Sequence, residues 1–327
     1  MILKNSQFIS VKGRDSFKFL QGQLTQDLNL VKPDNPMWSL VLTPNGTVIQ
    51  LIKIYLIEDE FYLLEVPRED AGITLNRLKR FMLRTNAQIV IFDRAVAFTS
   101  LDRSAIADEC DRHLDQDAAN LKNLIVEAVS ESPVVDDSSN WDMSKGSVLG
   151  ETFLSKGLGQ DRVLIFDSQS ACDQAIFDSE NFKSSRDKVG TSEKAVMTAL
   201  EILTSTLRFD LGNDSKILPA EIPKMLQESV SFAKGCYVGQ ELVERIDSRK
   251  ATTPNLIVPV ALNLKDFSDK NITSEDFKVE YVSDEKVLPV ALMAKIRIQD
   301  YMLLALRVPK KILSDANFKA KLQLSNP

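Results

Sequence analysis

The stretch Lys234-Gly235-Cys236-Tyr237-Val238-Gly239-Gln240-Glu241-Leu242-Val243-Glu244-Arg245 constrains this chain more than any other. It gathers two cations, a thiol, an aromatic ring, two glycines, an amide and two carboxylates. The glycines permit a left-handed turn or a close backbone approach. Gln240 to Arg245 reads as the opening of a helix, with Gly239 or an earlier residue near its cap. Glu241 and Arg245, four apart, share one face of it. A glycine-rich turn running into a helix exposes backbone N–H groups, and Lys234 adds charge suited to an anionic ligand. From the residues alone this is a binding loop that offers a thiol. The same residues would also serve an ordinary turn with a buried cysteine and a surface ion pair.

The 327 residues suffice for two or three domains. A hydrophobic fraction of 44% and a charged fraction of 26% are those of an ordinary globular protein with a sizeable core. The net charge of −6 gives no global case for nucleic acid or an anionic membrane, so such a contact would need a local basic patch. No run reaches transmembrane length and the first residues lack a signal-peptide pattern, so a cytoplasmic location with no membrane partner is expected. Cys110, Cys172 and Cys236 are few, far apart and odd in number, which suits a reducing compartment. With no CxxC and His113 the only histidine, neither a metal site built by this chain alone nor a Cys-His or Ser-His hydrolase is expected.

Alternation predicts strands over 7–11, 38–42, 48–56 and 61–66, with a hairpin turn at Leu42-Thr43-Pro44-Asn45-Gly46. A helix is expected over Arg68–Arg84, with Arg77, Lys79, Arg80 and Arg84 as a basic face; it is a solvated surface or an anion site for an acidic ligand tail or an RNA backbone. Residues 102–128 read as helical and acidic, with Cys110 and His113 in a polar setting. Ser130–Ser147 reads as a linker, and Ser192 as the N-cap of a helix reaching about Phe209. The strands predicted at 256–262, 278–282, 287–298 and 301–308 suit a small β-barrel, with Pro259 and Pro289 at edges or strand ends.

Four segments carry a family resemblance. The signature is similar to that of the YgfZ family, the folate-binding, iron–sulfur-assembly branch of the glycine cleavage T-protein (aminomethyltransferase) superfamily. The run from Gly13 through Asp15, Phe19-Leu20-Gln21-Gly22-Gln23-Leu24-Thr25 to Asp27 resembles that family's opening motif, with Gln26 where Asn is usual. Leu207-Arg208-Phe209-Asp210-Leu211-Gly212 and Leu218-Pro219-Ala220-Glu221 resemble its Arg…Gly and Pro-x-Glu segments, departing at Ile222-Pro223.

The resemblance implies an α+β aminomethyltransferase-like fold. It comprises a discontinuous folate-binding core (1–47 plus 145–252), an inserted ferredoxin-like domain (48–144) and a C-terminal β-barrel (253–327). It implies tetrahydrofolate or a one-carbon derivative as cofactor, with Glu221, Tyr237, Gln240, Glu241, Arg245 and Arg208 binding it. A carboxylate at Glu221 suits the amino-pyrimidinone edge of a pterin; from the residues alone it would equally be a helix-start carboxylate. Cys236 is the implied functional thiol, with Lys234 its cation. The partners implied are reduced folate and iron–sulfur client or assembly proteins, with tRNA modification served indirectly. Aminomethyltransferases carry an Asp-Asp pair where this chain has Gln50 and Leu51. An amide cannot act as general acid or base, so the expectation is a folate-dependent accessory protein, with aminomethyl transfer as the alternative.

Overall fold

Alternating apolar side chains give the first strands two opposed faces, and each face finds a different partner. The computed structural model describes residues 2–3, 5–131, 146–153, 159–166, 172, 193–204, 216–248, 253–270, 277–283 and 287–325. In chain order these form β1 (Ile2–Leu3), β2 (Ser6–Lys12), α1 (Ser16–Gln23), β3 (Met37–Leu42), β4 (Val48–Glu58), β5 (Phe61–Pro67), α2 (Ala71–Lys79), β6 (Gln88–Phe92) and β7 (Ala95–Leu101). Then come α3 (Arg103–His113), α4 (Ala119–Glu131), β8 (Gly146–Phe153), β9 (Gly159–Phe166), α5 (Glu193–Thr204), α6 (Pro223–Ser229) and α7 (Gln240–Ser248). The last part holds β10 (Asn255–Asn263), β11 (Lys278–Val282), β12 (Val287–Ile298), β13 (Tyr301–Pro309) and β14 (Leu322–Ser325).

The first sheet is antiparallel in the order β3-β4-β5-β2-β6. Ile9, Val11, Val41, Ile52, Ile54 and Leu64 line one face and pack with Leu20 and Leu24 of α1 and Leu78 of α2. Each such aliphatic contributes about 2 kcal/mol by leaving water. On the opposite face Phe8, Tyr55 and Leu63 meet Ala95 and Ala97 of β7, so a second sheet stacks on the first. The break expected between residues 47 and 48 falls inside the β3–β4 hairpin, where Leu42 pairs with Val48. Strands β4 to β6 therefore belong to the first sheet and not to a separate insert. The expected helix over 68–84 is also shorter: α2 stops at Lys79, and Arg84 takes a left-handed φ of 56°.

The second sheet has the order β1-β7-β9-β8. β7 crosses through α3 and α4 to β8, and β9 returns between them, antiparallel to both. Ile106 and Cys110 of α3, Leu121 and Ile125 of α4, and Val196, Ala199, Leu200 and Leu203 of α5 share one apolar cluster. Cys110 is thus a core residue, correcting the polar setting expected for it; burial pushes its thiol up to about 12. The expected linker falls largely on 132–145, and the start and end of the expected 192–209 helix fall on 192 and 205–209, all outside the described residues.

The third sheet has the order β10-β13-β12-β11-β14. Pro259 lies on the edge strand β10, and Pro289 lies before β12 begins to pair with β13 at Ala291. Pro289 is still in register with Glu280 of β11 on its other side. Among the described residues no ladder joins β10 to β14.

Glu109 of α3 is buried and receives Lys224 of α6 at 2.9 Å, with His113 at 3.4 Å and Arg112 beside it. Burial raises its pKa, but hydrogen bonds from His113 and Lys224 outweigh this and lower it from 4.5 to about 2. A depressed carboxylate stabilises the fold above its unfolded pKa, and that contribution is lost as pH falls from 4.5 to about 2. Denaturation midpoints of the native chain and Glu109→Gln should therefore differ at pH 7 and converge towards pH 2. A gap independent of pH would contradict the assignment.

Candidate functional site

Two glycine turns lie back to back at the heart of the site. The β3–β4 turn closes through Gly46 N–H to the Thr43 carbonyl and Thr43 N–H to the Thr47 carbonyl, both at 2.9 Å. Gly46 has φ +79° and Gly239 φ +85°. A Cβ on Gly239 would stand 2.5 Å from the Thr43 carbonyl oxygen, and one on Gly46 would stand 2.9 Å from the Gly239 carbonyl oxygen. Both positions need glycine on conformation and on space. Gly235 faces open space and has no such requirement. α7 begins directly after Gly239, and the Gln240 side chain fixes the turn: its Oε1 accepts the Tyr237 N–H at 2.9 Å, and its Nε2 donates to Glu244 at 3.0 Å.

Lys234 locks this loop to the opening motif. Its Nζ donates to the carbonyls of Gln21 (2.7 Å), Leu24 (2.6 Å) and Gln26 (3.0 Å), at the C-terminal end of α1 where helix carbonyls lack partners. Val238 N–H donates to Gly22, Ser231 N–H to Thr25, Thr25 Oγ1 to Ser229 and Gln26 Nε2 to Glu228. Gln26, the departure from the usual Asn, thus joins the same seam. Burial pulls the Lys234 pKa down to about 8, while Asp27 opposes the shift. All three ammonium donors are committed to carbonyls, which corrects the expected role: Lys234 positions the loop and has no donor left for the thiol. Cys236 itself is exposed.

The other expected ligands divide. Glu221 ends a 3-10 turn (Pro219–Glu221) and is completely buried. Arg307 of β13 meets it as a fork, Nε to Oε2 and Nη2 to Oε1, both at 2.7 Å. Ile222 is a core residue and Pro223 opens α6 at its first position, where a missing N–H costs nothing. Tyr237 is buried; burial, then Glu244, pushes its hydroxyl up to about 12, and that hydroxyl has no hydrogen-bond partner. Glu241 and Arg245 form a 2.5 Å pair on the outer side of α7, with side chains 86% and 51% exposed. Such a pair contributes little, and it faces solvent, contrary to the expected pocket role. Arg208 lies outside the described residues. A cleft of about 260 Å³ opens beside the Glu221 turn, lined by Gly46, Pro219, Ala220, Leu242, Val243 and Ile246.

The expected basic face of α2 is also revised. Arg77 is buried, donates to the Leu42 carbonyl at 2.8 Å and to Gln23 at 3.2 Å, and stacks on Phe81. Gln50 is buried, and its amide donates to the Leu51 carbonyl at 3.2 Å.

Residues missed from the sequence lie on the inward face of the first sheet. Lys53 and Glu65 are opposite one another on β4 and β5, and both are buried. Glu65 accepts from Ser6 Oγ and Tyr55 Oη, each at 2.7 Å. The Lys53 ammonium stands 5.2 Å from the Trp38 ring, whose buried Nε1 has no hydrogen-bond partner. The signal was available: a lysine inside Val48–Glu58 and a glutamate inside Phe61–Pro67 interrupt otherwise apolar strands. Charges are rarely buried there unless paired.

These sheets and loops define a protein of the glycine cleavage T-protein fold. The glycine cleavage system aminomethyltransferase T of Bartonella henselae superposes with a TM-score of 0.55, covering 94% of this chain and 77% of that one at 11% identity. No family model matches the chain. The tRNA-modifying protein YgfZ of Hamiltonella defensa is 26% identical over 253 residues, 76% of this chain and 66% of that protein. The mitochondrial iron–sulfur cluster assembly factor IBA57 homolog of Neurospora crassa is 24% identical over 265 residues, 76% of this chain and 50% of that protein. The chain thus spans about half to two-thirds of the length of these curated relatives. Within that fold the chain is similar in sequence to proteins of the YgfZ family.

The glycine contact yields a paired expectation. Gly239→Ala should destabilise the chain by about 3 kcal/mol through backbone strain and overpacking, whereas Gly235→Ala should leave the denaturation midpoint unchanged. Equal effects would contradict the back-to-back arrangement.

Proposed function

We propose that this chain binds tetrahydrofolate or a one-carbon derivative. In this reading it assists iron–sulfur cluster assembly or repair in client enzymes, tRNA-modifying ones among them, from the cytoplasm. The observation that carries the reading is the exposed Cys236 thiol on a loop clamped by Lys234. The kinship with relatives named for tRNA modification and for iron–sulfur assembly supports it. A single thiol cannot hold a cluster, so the client or assembly partner supplies the remaining ligands and the cluster is cargo.

The residues present fit a folate. Glu221 already holds two parallel N–H donors, which is what a pterin's amino-pyrimidinone edge would present. The buried Tyr237 hydroxyl and Trp38 indole N–H are unpaired donors in or against the core cluster that also holds Ile222. When bound, the folate supplies a one-carbon carrier; the chain's own part is to orient its ring and exclude water. In the aminomethyltransferase alternative a carboxylate would stand near Gln50, where the amide is already bonded to the Leu51 carbonyl. The split crossover of the second sheet fits a ferredoxin-like unit completed by β1, and the third sheet fits a barrel wall.

Calorimetric titration with folinic acid tests the cofactor. Glu221→Ala should weaken binding at least tenfold, about 1.4 kcal/mol. Absence of binding by the native chain at millimolar folinic acid would remove the folate reading. Cys236→Ser, expressed in cells lacking the native chain, should fold normally and fail to restore iron–sulfur enzyme activity; full restoration would remove the thiol from the account.

A further inference from the structure

The Arg307 guanidinium presents two N–H groups across one carbon, and both engage the completely buried Glu221 at 2.7 Å. An amino-pyrimidinone edge also presents two donors across one carbon, a ring N–H and an exocyclic amine. Such fork-to-carboxylate pairing is specific in geometry as well as strength. Arg307 comes from β13, in a different sheet from the strands that frame the opening motif. Its side chain is a quarter exposed, whereas that of Glu221 is not. Its third contact, Nη2 to the Lys216 carbonyl, is a looser 3.3 Å. The donor is therefore the partner with room to move, and the carboxylate is the fixed one. The cleft lined by Pro219 and Ala220 opens at the turn that carries Glu221.

We infer that Arg307 is a built-in stand-in for the ligand's ring edge: it fills the Glu221 carboxylate in the unliganded chain and sets specificity by competition. The inference rests on the folate reading above. Only a ligand that offers two parallel donors can replace the fork without leaving a buried carboxylate unpaired, and removing one partner of such a pair alone is costly. A ligand with one donor, or with an acceptor at that edge, is excluded. The third sheet thereby enters the binding reaction, because release of Arg307 accompanies occupancy of Glu221.

The test uses the full chain, folinic acid as probe, and two readouts, calorimetric affinity and melting temperature. Arg307→Met removes the competing donors. It should lower the melting temperature of the unliganded chain, bind folinic acid at least tenfold more tightly than the native chain, and recover most of the lost melting temperature at saturation. Arg307→Lys keeps the charge but only a single point of contact, and should lie between the two; it serves if Arg307→Met does not fold. Methylguanidinium should compete with folinic acid in Arg307→Met. Unchanged or weaker binding by both variants, with Glu221→Ala still weakening it, would overturn the stand-in and leave the folate reading in place. No folinic acid binding by any of these proteins, with melting still lowered by Arg307→Met, would overturn both and leave a purely structural ion pair.

Discussion

One ammonium group organises the site. Lys234 gives its three N–H donors to the carbonyls of Gln21, Leu24 and Gln26, inside a seam that no apolar residue could close. A hydrogen bond to a charged group contributes about 1.5–3 kcal/mol, and without the lysine those carbonyls would lose a charged partner. The side chain is anchored in the loop that carries Cys236, so the same bonds that finish α1 also hold the thiol outward. The glycine pair Gly46–Gly239 then fixes the far end of the loop against the β3–β4 turn. Between these two points Cys236 has little freedom to retreat into the core, and solvent exposure follows from the way the loop is held.

Residues 216–248 tie the first sheet, the helices after β7 and the third sheet together through one backbone hydrogen bond and two ion pairs. Val48 N–H reaches the Ile217 carbonyl at 2.9 Å and joins the first sheet. Lys224 reaches Glu109 of α3 and joins the helices that follow β7 in the chain. Glu221 grips Arg307 of the third. A segment with this many polar ties is an expensive way to stabilise a fold, because each buried charge must first lose its water. It does place a buried carboxylate, an orphaned tyrosine hydroxyl and an exposed thiol close along one chain.

Much of this was legible beforehand. Strands β2 to β5 and β10 to β13 followed from alternation, and the signature named both the loop and the helix that follows it. What the sequence could not convey was partnership. Glu221 invites a ligand until Arg307, 86 residues away, is seen on it. Lys234 looks like a cation for a thiol until the end of α1 arrives beneath it. Arg77 reads as surface because helical spacing does not reveal that α2 turns that side towards the Leu42 carbonyl. The boundary at residue 47 failed because a tight hairpin looks the same whether it joins two strands of one sheet or two domains. Lys53 and Glu65 were overlooked for the opposite reason: each stands alone in an apolar strand, and only cross-strand register makes them neighbours.

The most direct test of the Lys234 clamp is native-state hydrogen exchange at two amides, Val238 and Ser231, whose N–H groups bond to Gly22 and Thr25 across the seam. In Lys234→Met both should lose at least tenfold protection while the amides of β4 and β5 keep theirs. Unchanged protection at Val238 and Ser231 would mean that the seam closes without the lysine, and that some other contact holds Cys236 in place.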